Sequence, residues 1–238
     1  MKLIKNLLIL FLNFKIINFF QKYNSYNLFN KIIKKKYSNH TNLGYDKSKK
    51  ILFQDLKKYL IYGNEINKDI NCEHVWCQKY FKYKEPMKSD LHIMFLSNSR
   101  LNSHRQDYKF KNIDKNFIFL NNKGIIIDNN FFHKFLSYRL YKKNNKKKIF
   151  EPPNKSKGKI SRSVAYFHSI YEINNNKLDK IIDIQDLINW NRHFLPNMYE
   201  IERNEMIRNH QNNINPFIKY PILIEIIYND KFSTFYFC

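Results

Sequence analysis

The chain has 238 residues, of which 43% are hydrophobic and 17% aromatic, enough for one domain with a substantial core. Four Gly and six Pro exclude collagen-like and Gly-rich low-complexity proteins. The 42 Lys and Arg against 20 Asp and Glu give a net charge of +22, which favours a polyanionic partner, either nucleic acid or an anionic membrane surface.

The first 45 residues contain eight of these Lys and no acidic residue, so residues 46–238 keep 34 basic and 20 acidic side chains. Lys2 and Lys5 precede an apolar stretch at residues 7–12, the pattern of a secretory signal, and residues 21–45 resemble an organellar transit segment. A disordered basic tail is the alternative. Polar residues at positions 13, 15 and 18 argue against a stable membrane span. We expect residues 1–45 to direct the protein to the secretory pathway or an organelle, and residues 46–238 to form the folded domain.

Three cysteines, Cys72, Cys77 and Cys238, cannot all pair within one chain. If residues 72–77 are extended, the two Cα atoms lie beyond the ~7 Å limit of a disulfide. A zinc site from Cys72, His74 and Cys77 would need at least one more ligand. The pattern favours free thiols.

The body of the chain contains both helical and strand-like patterns, which predicts an α+β fold. Apolar spacing predicts a helix over residues 48–62, and strand-like stretches follow at residues 71–81 and 89–96. Ser97 or Asn98 is placed to cap a helix that runs to about residue 105. The remaining predictions are short strands at 117–120 and 124–127, a solvated Lys/Asn loop at 142–148, a turn at 151–158, and helices at 160–173, 178–192 and 198–210.

The chemically informative stretch is residues 72–105. Glu73 and His74 are adjacent, and Asn102 and Arg105 share a helical face because they are three residues apart. Hydrolysis of a phosphodiester needs a base, an oxyphilic cation and positive charge near the nonbridging oxygens. Histidine, a carboxylate with an amide oxygen, and arginine meet those needs. The Glu-His pair alone is a weak signal, because a lone histidine is more often a hydrogen-bonded core residue.

Five blocks resemble, in order, the bacterial endonuclease I family, which belongs to the His-Me finger (ββα-metal) nucleases. They are CEHVWCQ (72–78), SDLHIMFLSNSRLNSHR (89–105), FEPPNKSKGKISRSVAYFHSIY (150–171), LINWN (187–191) and YEIERNEMIRNHQNNINPF (199–217). The resemblance implies an α+β fold with a ββα-metal core surrounded by helices and short strands. It also implies that residues 46–238 form an endonuclease I-like domain.

The resemblance further implies a mechanism. His74 is the general base that takes a proton from the attacking water, and Glu73 and Asn102 hold one divalent cation, normally Mg²⁺, that stabilises the departing 3′ oxygen. The products are 5′-phosphate and 3′-hydroxyl ends. The substrate is expected to be DNA, with RNA as a further substrate, bound through the phosphate backbone with low sequence specificity.

Several residues keep two interpretations. Arg105, assigned here to the catalytic set, contacts the substrate phosphate or packs within the protein, and Arg162 contacts the DNA backbone or an internal carboxylate. Asp90 and His92 serve the site or form hydrogen bonds that fix the hairpin, and the second interpretation is favoured. Support of the site, without a part in the chemistry, is expected of Glu202, Arg203 and Asn204.

The chain departs from the family pattern at three positions. Cys77 stands where proline is usual, and Asn212 and Ile214 replace a usual glycine and arginine. Some members carry an arginine between the two strands that holds the cleaved phosphate. The connection here contains only lysines, which lack the bidentate fork of arginine: Lys79, Lys82, Lys84 and Lys88.

Two other functions stay open. A catalytically degenerate basic protein would bind nucleic acid without Mg²⁺-dependent cleavage, and a membrane-surface protein anchored by residues 1–36 would lose liposome binding when that segment is deleted. The joint presence of Glu73, His74 and Asn102 favours the enzyme. The sequence does not indicate the oligomeric state or the role of residues 142–148.

Overall fold

The computed structural model describes residues 25–63, 69–113, 118–121, 123, 126–127, 138–143, 147–173 and 175–229. Much of the predicted targeting segment, together with Cys238, lies outside these ranges.

The described strands form two sheets. The strands are β1 (Leu60–Tyr62), β2 (Ile70–His74), β3 (Met94–Asn98), β4 (Lys109–Phe110), β5 (Ile118–Leu120), β6 (Ile126–Ile127), β7 (Tyr138–Lys143) and β8 (Lys147–Glu151). The first sheet has the order β1-β3-β2, with the central β3 parallel to β1 and antiparallel to β2. The second has the order β4-β8-β7-β5-β6.

Within the described ranges the helices are α1 (Ser25–Tyr37), α2 (Tyr45–Gln54), α3 (Ser99–Arg105), α4 (Asn154–Ile170), α5 (Asn175–Ile181), α6 (Ile184–His193), α7 (Met198–Gln211), α8 (Pro216–Lys219) and α9 (Ile222–Tyr228). Helices α2 and α3 pack against the first sheet, and α4 packs against α1, α6, α8 and β1. Helices and strands occur together, so the fold is α+β, as predicted. No helix in the described part of the chain has both the length and the apolar character that crossing a bilayer requires.

The central strand β3 separates two hydrophobic clusters. Alternate residues of a strand point to opposite faces. Met94 and Leu96 therefore join a smaller cluster with Leu52, while Phe95 joins a larger cluster that contains Trp76. This arrangement makes β3 the rigid centre from which the neighbouring β2 is positioned.

Helix α1 contributes to the larger cluster. Phe29 and Ile33 are 5% and 3% exposed, and the Thr41 backbone N–H donates to the Gln211 carbonyl at 2.8 Å. These contacts place residues before position 46 against the body. Residues on the N-terminal side of the predicted boundary at 45/46 are therefore packed against the domain. The position at which a targeting segment ends stays a prediction.

The prediction of one helix over residues 48–62 is wrong in its second half. Helix α2 ends at Gln54, and Leu60–Tyr62 form β1. Ile61 and Tyr62 are both fully buried in the larger cluster, and Leu60 and Tyr62 pair with Leu96 and Ser97 of β3. Tertiary pairing thus overrides the local helical spacing.

The second predicted strand starts later than expected. A 3-10 turn covers Met87–Ser89, and β3 begins at Met94. The predicted cap is confirmed, because the Asn98 side chain accepts a hydrogen bond from the Leu101 backbone N–H at 3.1 Å and α3 runs to Arg105.

Both ends of the Lys/Asn stretch predicted as a loop at 142–148 belong to strands, since Lys142 pairs with Lys148 and Lys143 with Lys147 between the antiparallel strands β7 and β8. Residues 144–146 lie outside the described residues. Helix α4 begins at residue 154, directly after two prolines, so residues 154–158 are helical and do not form the predicted turn. The predicted helix over 178–192 is divided into α5 and α6 where Ile182 forms a β-bridge to Phe110. The short strands β5 and β6 and helix α7 are confirmed within a few residues.

Candidate active site

Strand β2 presents Glu73 and His74 at the edge of the first sheet. Glu73 lies opposite Phe95 of β3, and His74 lies opposite Met94. Because neighbouring residues of a strand point to opposite faces, the two side chains have different surroundings. Glu73 and His74 therefore contact different residues on the two faces of β2.

Glu73 is buried, at 3% exposure, between two donors. The Tyr62 hydroxyl donates to its Oε1 at 3.2 Å, and the Arg105 Nε lies 3.4 Å from the same oxygen. Burial raises the pKa of Glu73 to about 7, although Arg105 and Tyr62 act in the opposite direction. Arg105, Tyr62 and the His74 backbone N–H thus do not offset burial, which leaves this carboxylate incompletely stabilised, and a cation beside it would favour its charged form.

His74 is held in a defined tautomer. Its Nε2 lies 2.9 Å from the Lys88 carbonyl oxygen, which only accepts, so the proton resides on Nε2 and Nδ1 keeps a lone pair. The Gln78 amide lies 3.2 Å from Nδ1, and the Tyr45 ring stacks on the imidazole with centroids 6.0 Å apart. Burial lowers the pKa of His74 to about 4, so the ring is neutral at neutral pH and able to accept a proton.

Asn102 stands on the first turns of α3, which the Asn98 cap fixes to the end of β3. Its Nδ2 donates to Asn71 Oδ1 at 2.9 Å and to the Cys72 carbonyl at 3.2 Å. With the amide nitrogen committed to β2, Oδ1 remains as the atom available to a ligand. The strand-strand-helix unit therefore brings Asn102 against the residues that immediately precede Glu73.

A divalent cation fits the chemistry of this donor set. Glu73 and Asn102 offer one carboxylate and one amide oxygen, the hard ligands that Mg²⁺ takes while keeping several waters. In the described ranges no group of three or more His, Cys, Asp or Glu side chains is placed to hold a metal. The zinc alternative gains no support, because Cys72 and Cys77 are free and burial raises the pKa of Cys72 to about 12.

Arg105 is 1% exposed and turned inward. Its guanidinium donates to the carbonyls of Val75 and Gln106, each at 2.8 Å, and lies 4.5 Å from the Phe110 ring centroid. These contacts support the packing interpretation, in which Arg105 ties α3 to the end of β2. Its contact with a substrate phosphate stays a prediction.

The Endonuclease I family model matches residues 14–222, which is most of the chain. The chain belongs to the endonuclease I family. No curated protein matches it. Its function is accordingly that of a nuclease acting on nucleic acids, and the family is generally metal-dependent.

Of the two partners expected for Arg162, the DNA backbone or an internal carboxylate, the structure shows the carboxylate. In this endonuclease I family member Arg162 is 1% exposed, and its Nε and Nη2 donate to the two Glu200 carboxylate oxygens at 2.7 and 2.6 Å. Nη1 donates to Asn191 and to the Phe194 carbonyl. This network joins α4, α6 and α7 and leaves no guanidinium face directed at a DNA backbone.

Asp90 and His92 are also buried, at 1% exposure each. Asp90 accepts hydrogen bonds from Tyr166, Tyr171, Gln211 and the His92 backbone at 2.8 to 3.0 Å. These hydrogen bonds agree with the interpretation favoured from the sequence, in which Asp90 and His92 fix the connection that leads into β3.

The supporting residues on α7 divide into two groups. Arg203 donates to the carbonyls of Leu91 and Met94, and Asn204 exchanges hydrogen bonds with the backbone of residue 215, so both hold the site from behind. Glu202 instead pairs with Lys58 at the surface.

The departures from the family pattern are accommodated differently. Asn212 ends α7 in the left-handed conformation, with φ of 65°, and its side chain donates to Thr41 Oγ1 at 2.8 Å. Asparagine is the common substitute for glycine in this conformation, so this replacement keeps the helix end. Among the four lysines between the strands, Lys79 pairs with Asp107, whereas Lys88 lies beside His74 with its Nζ 4.4 Å from the Tyr45 ring centroid.

Sequence reasoning missed three residues around the site. Tyr62 was assigned to a helix, and Tyr45 and Gln78 drew no functional prediction. Their roles depend on long-range placement: Tyr62 reaches Glu73 through β1, and Tyr45 reaches His74 through α2. Only the Gln78 spacing, four residues after His74, offered a local signal.

Proposed function

We propose that this protein is a Mg²⁺-dependent endonuclease that hydrolyses DNA, and RNA as a further substrate, to 5′-phosphate and 3′-hydroxyl ends. The observation that carries the proposal is the neutral His74 imidazole, fixed through Nε2 by the Lys88 carbonyl at the end of β2, next to Glu73 and on the strand to which Asn102 of α3 is hydrogen-bonded. This arrangement supports the proposal that the protein is a nuclease of the His-Me finger class.

In this mechanism His74 Nδ1 takes the proton of the water that attacks phosphorus. The Lys88 carbonyl keeps its hydrogen bond from Nε2 throughout, so it stabilises the imidazolium that forms. Gln78 donates to Nδ1 before the reaction, and its amide must move aside or orient the water. Arg105 and Arg203 keep the strand end and the β3 connection in place.

Glu73 and Asn102 would hold the Mg²⁺ ion through one carboxylate and one amide oxygen. The bound ion supplies positive charge for the departing 3′ oxygen. Tyr62 orients the Glu73 carboxylate, and Asn71 and the Cys72 carbonyl orient the Asn102 amide.

We propose that the Lys88 ammonium group places a positive charge beside the scissile phosphate. Its carbonyl bonds to His74 and its ammonium lies against the Tyr45 ring that stacks on His74. A lysine acts as a point charge, without the paired hydrogen bonds of arginine. We therefore expect a weak hold on the cleaved phosphate and no contribution to base sequence recognition.

The test uses the purified full chain, supercoiled plasmid, and either Mg²⁺ or EDTA. Wild type is expected to nick the plasmid only with Mg²⁺, and Asn102→Ala is expected to require more Mg²⁺ or to lose turnover. Asn209→Ala, an exposed asparagine on α7, is the matched control. Salt-sensitive DNA binding without cleavage would instead establish the degenerate binding protein.

We also propose that the basic N-terminal segment directs the protein to the secretory pathway or an organelle. The support is its composition, eight Lys and no acidic residue in 45 positions. Two fusions to a fluorescent protein test this, one of residues 1–24, which end before α1, and one of residues 1–45. A diffuse cytosolic signal from both fusions would refute the proposal.

A further inference from the structure

A cleft of about 630 Å³ lies between α2 and β2. It is outside the set of residues assigned to catalysis. Its lining residues are Tyr45, Asp46, Lys49, Lys50, Phe53, Ile70, Asn71 and Cys72.

One wall of the cleft adjoins the candidate active site, because three of its lining residues contact Asn102 or His74. Asn71 accepts a hydrogen bond from Asn102, and the Cys72 carbonyl accepts another. Tyr45 lines the cleft and stacks on His74. A strand of nucleic acid whose scissile phosphate lies beside His74 would therefore have its next nucleotide at the cleft.

The chemistry of the lining fits a nucleotide. Lys49 and Lys50 are exposed neighbours on α2 and offer two ammonium groups to phosphate, against a single acidic lining residue, Asp46. Phe53 follows Lys49 by one helical turn, and the Lys49 Nζ lies 6.0 Å from the Phe53 ring centroid. Phe53 is only partly buried, so its ring is available as a surface on which a base can stack.

The volume of the cleft agrees with such an occupant. Pockets for small ligands measure roughly 300–1,000 Å³, and the cleft at about 630 Å³ lies inside that range. A base inside a duplex is stacked on both sides and has no free face for a side chain. An unpaired base can be turned out and stacked on an aromatic ring.

Resting on the nuclease function proposed above, we propose that the α2-β2 cleft binds one unpaired nucleotide of the substrate strand, next to the scissile phosphate. Lys49 and Lys50 contact phosphate, and Phe53 stacks on the base. The enzyme consequently binds single-stranded segments of DNA or RNA more tightly than fully paired duplex of equal length.

The experiment measures equilibrium binding in EDTA, so that no cleavage is needed. The probes are labelled oligothymidylate and oligouridylate of about eight nucleotides, and a paired DNA duplex of equal length. Phe53→Leu is expected to weaken single-strand binding at least about fivefold and to leave duplex binding unchanged, because stacking on the ring is lost. Lys49→Gln with Lys50→Gln is expected to reduce the slope of log affinity against log salt by about 1.4 for single strands.

Lys47→Gln is the matched control, since Lys47 is an exposed lysine of α2 outside the cleft lining. The double lysine variant changes only exposed side chains and keeps the test valid if Phe53→Leu is unstable. Wild-type single-strand binding by Phe53→Leu would overturn the cleft proposal, and so would a salt-slope reduction in the double lysine variant that is no larger per lysine than that of Lys47→Gln. Comparison of the thymidylate and uridylate probes shows which nucleic acid supplies the nucleotide.

Failure of the two proposals is distinguishable. A wild-type protein that does not nick plasmid but binds oligothymidylate in a Phe53-dependent way refutes the nuclease and keeps the cleft. A Mg²⁺-dependent nuclease whose single-strand binding is independent of Phe53 keeps the nuclease and refutes the cleft.

Discussion

Two buried carboxylates, Glu73 and Asp90, have opposite surroundings in the same molecule. Asp90 accepts four hydrogen bonds of 2.8 to 3.0 Å, two of them from tyrosine hydroxyls. Burial acts to raise its pKa, but His92, His40 and the hydrogen bonds outweigh this, so the pKa lies below its usual value. Glu73 has contacts of 3.2 and 3.4 Å, and burial raises its pKa to about 7.

The difference separates a structural carboxylate from one suited to a ligand. A carboxylate whose charge is already stabilised by the protein gains little from a cation. One that is buried with long contacts gains much, and such groups concentrate at functional sites. The same criterion applies to Arg162, because its guanidinium already donates to four acceptors within the protein: both Glu200 carboxylate oxygens, Asn191 Oδ1 and the Phe194 carbonyl.

The largest effect is expected at His74. His74→Ala removes the base and should lower cleavage at least about a hundredfold while leaving DNA binding nearly unchanged, because the base acts on water and not on the phosphates. Plasmid nicking and a mobility shift measure the two properties. His193→Ala, an exposed histidine on α6, controls for the loss of an imidazole. Full activity of the His74 variant would refute the mechanism.

A pair of isosteric changes breaks the comparison of the carboxylates directly. Glu73→Gln should eliminate most Mg²⁺-dependent cleavage with little loss of stability, because a raised pKa means that its charge is costly in the fold. Asp90→Asn should lower the free energy of unfolding by about 3 kcal/mol, since two buried tyrosine hydroxyls lose a charged acceptor. Urea unfolding and nicking assays measure both variants. The reverse pattern would contradict the assignment.

The stability of the protein should fall as the pH falls from about 6.5 toward 4. Burial lowers the pKa of His92 to about 4, so the unfolded chain binds protons that the folded chain refuses in this window. The expected loss is on the order of 2 kcal/mol for this residue between neutral pH and about pH 5. In His92→Gln this part of the pH-dependent loss of unfolding free energy should be absent, which urea unfolding at the two pH values measures. A pH-independent stability would disprove it.

The smallest effect is expected at Tyr62. Tyr62→Phe removes one hydroxyl that donates to Glu73 at 3.2 Å. A lost neutral hydrogen bond contributes about 1 kcal/mol, so the Mg²⁺ concentration for half-maximal cleavage should rise severalfold. Tyr59→Phe, whose hydroxyl contacts Met206 away from the site, serves for comparison. An equal shift in both variants would show that Tyr62 acts through packing alone.

The sequence predicted the parts of the fold that local chemistry decides. The Asn98 cap, helix α7 and the α+β class follow from side-chain capping and apolar spacing. The strand β1 did not, because residues 60–62 become extended only by pairing with β3, which is more than 30 positions away. The order of residues likewise gave no sign that Lys142 and Lys143 pair with Lys148 and Lys147 in neighbouring strands.

For the candidate site, sequence patterns were informative about residue types and not about orientation. The spacing of Asn102 and Arg105 correctly placed both on α3, but burial turned Arg105 inward toward Val75 and Gln106. Which of two interpretations holds for a lone arginine depends on the partners that the tertiary fold supplies. Arg162 shows this, since its partner Glu200 lies 38 positions away.

The connection between β3 and α3 has a thermal consequence. Strand β3 ends at Asn98 and α3 begins at Ser99, and Asn98 itself caps the helix, so no linker separates them. Asn102 therefore has no hinge through which it could drift relative to the sheet, and little conformational entropy is left to lose when substrate arrives. On warming, activity should persist until the sheet itself melts, and the two losses should coincide.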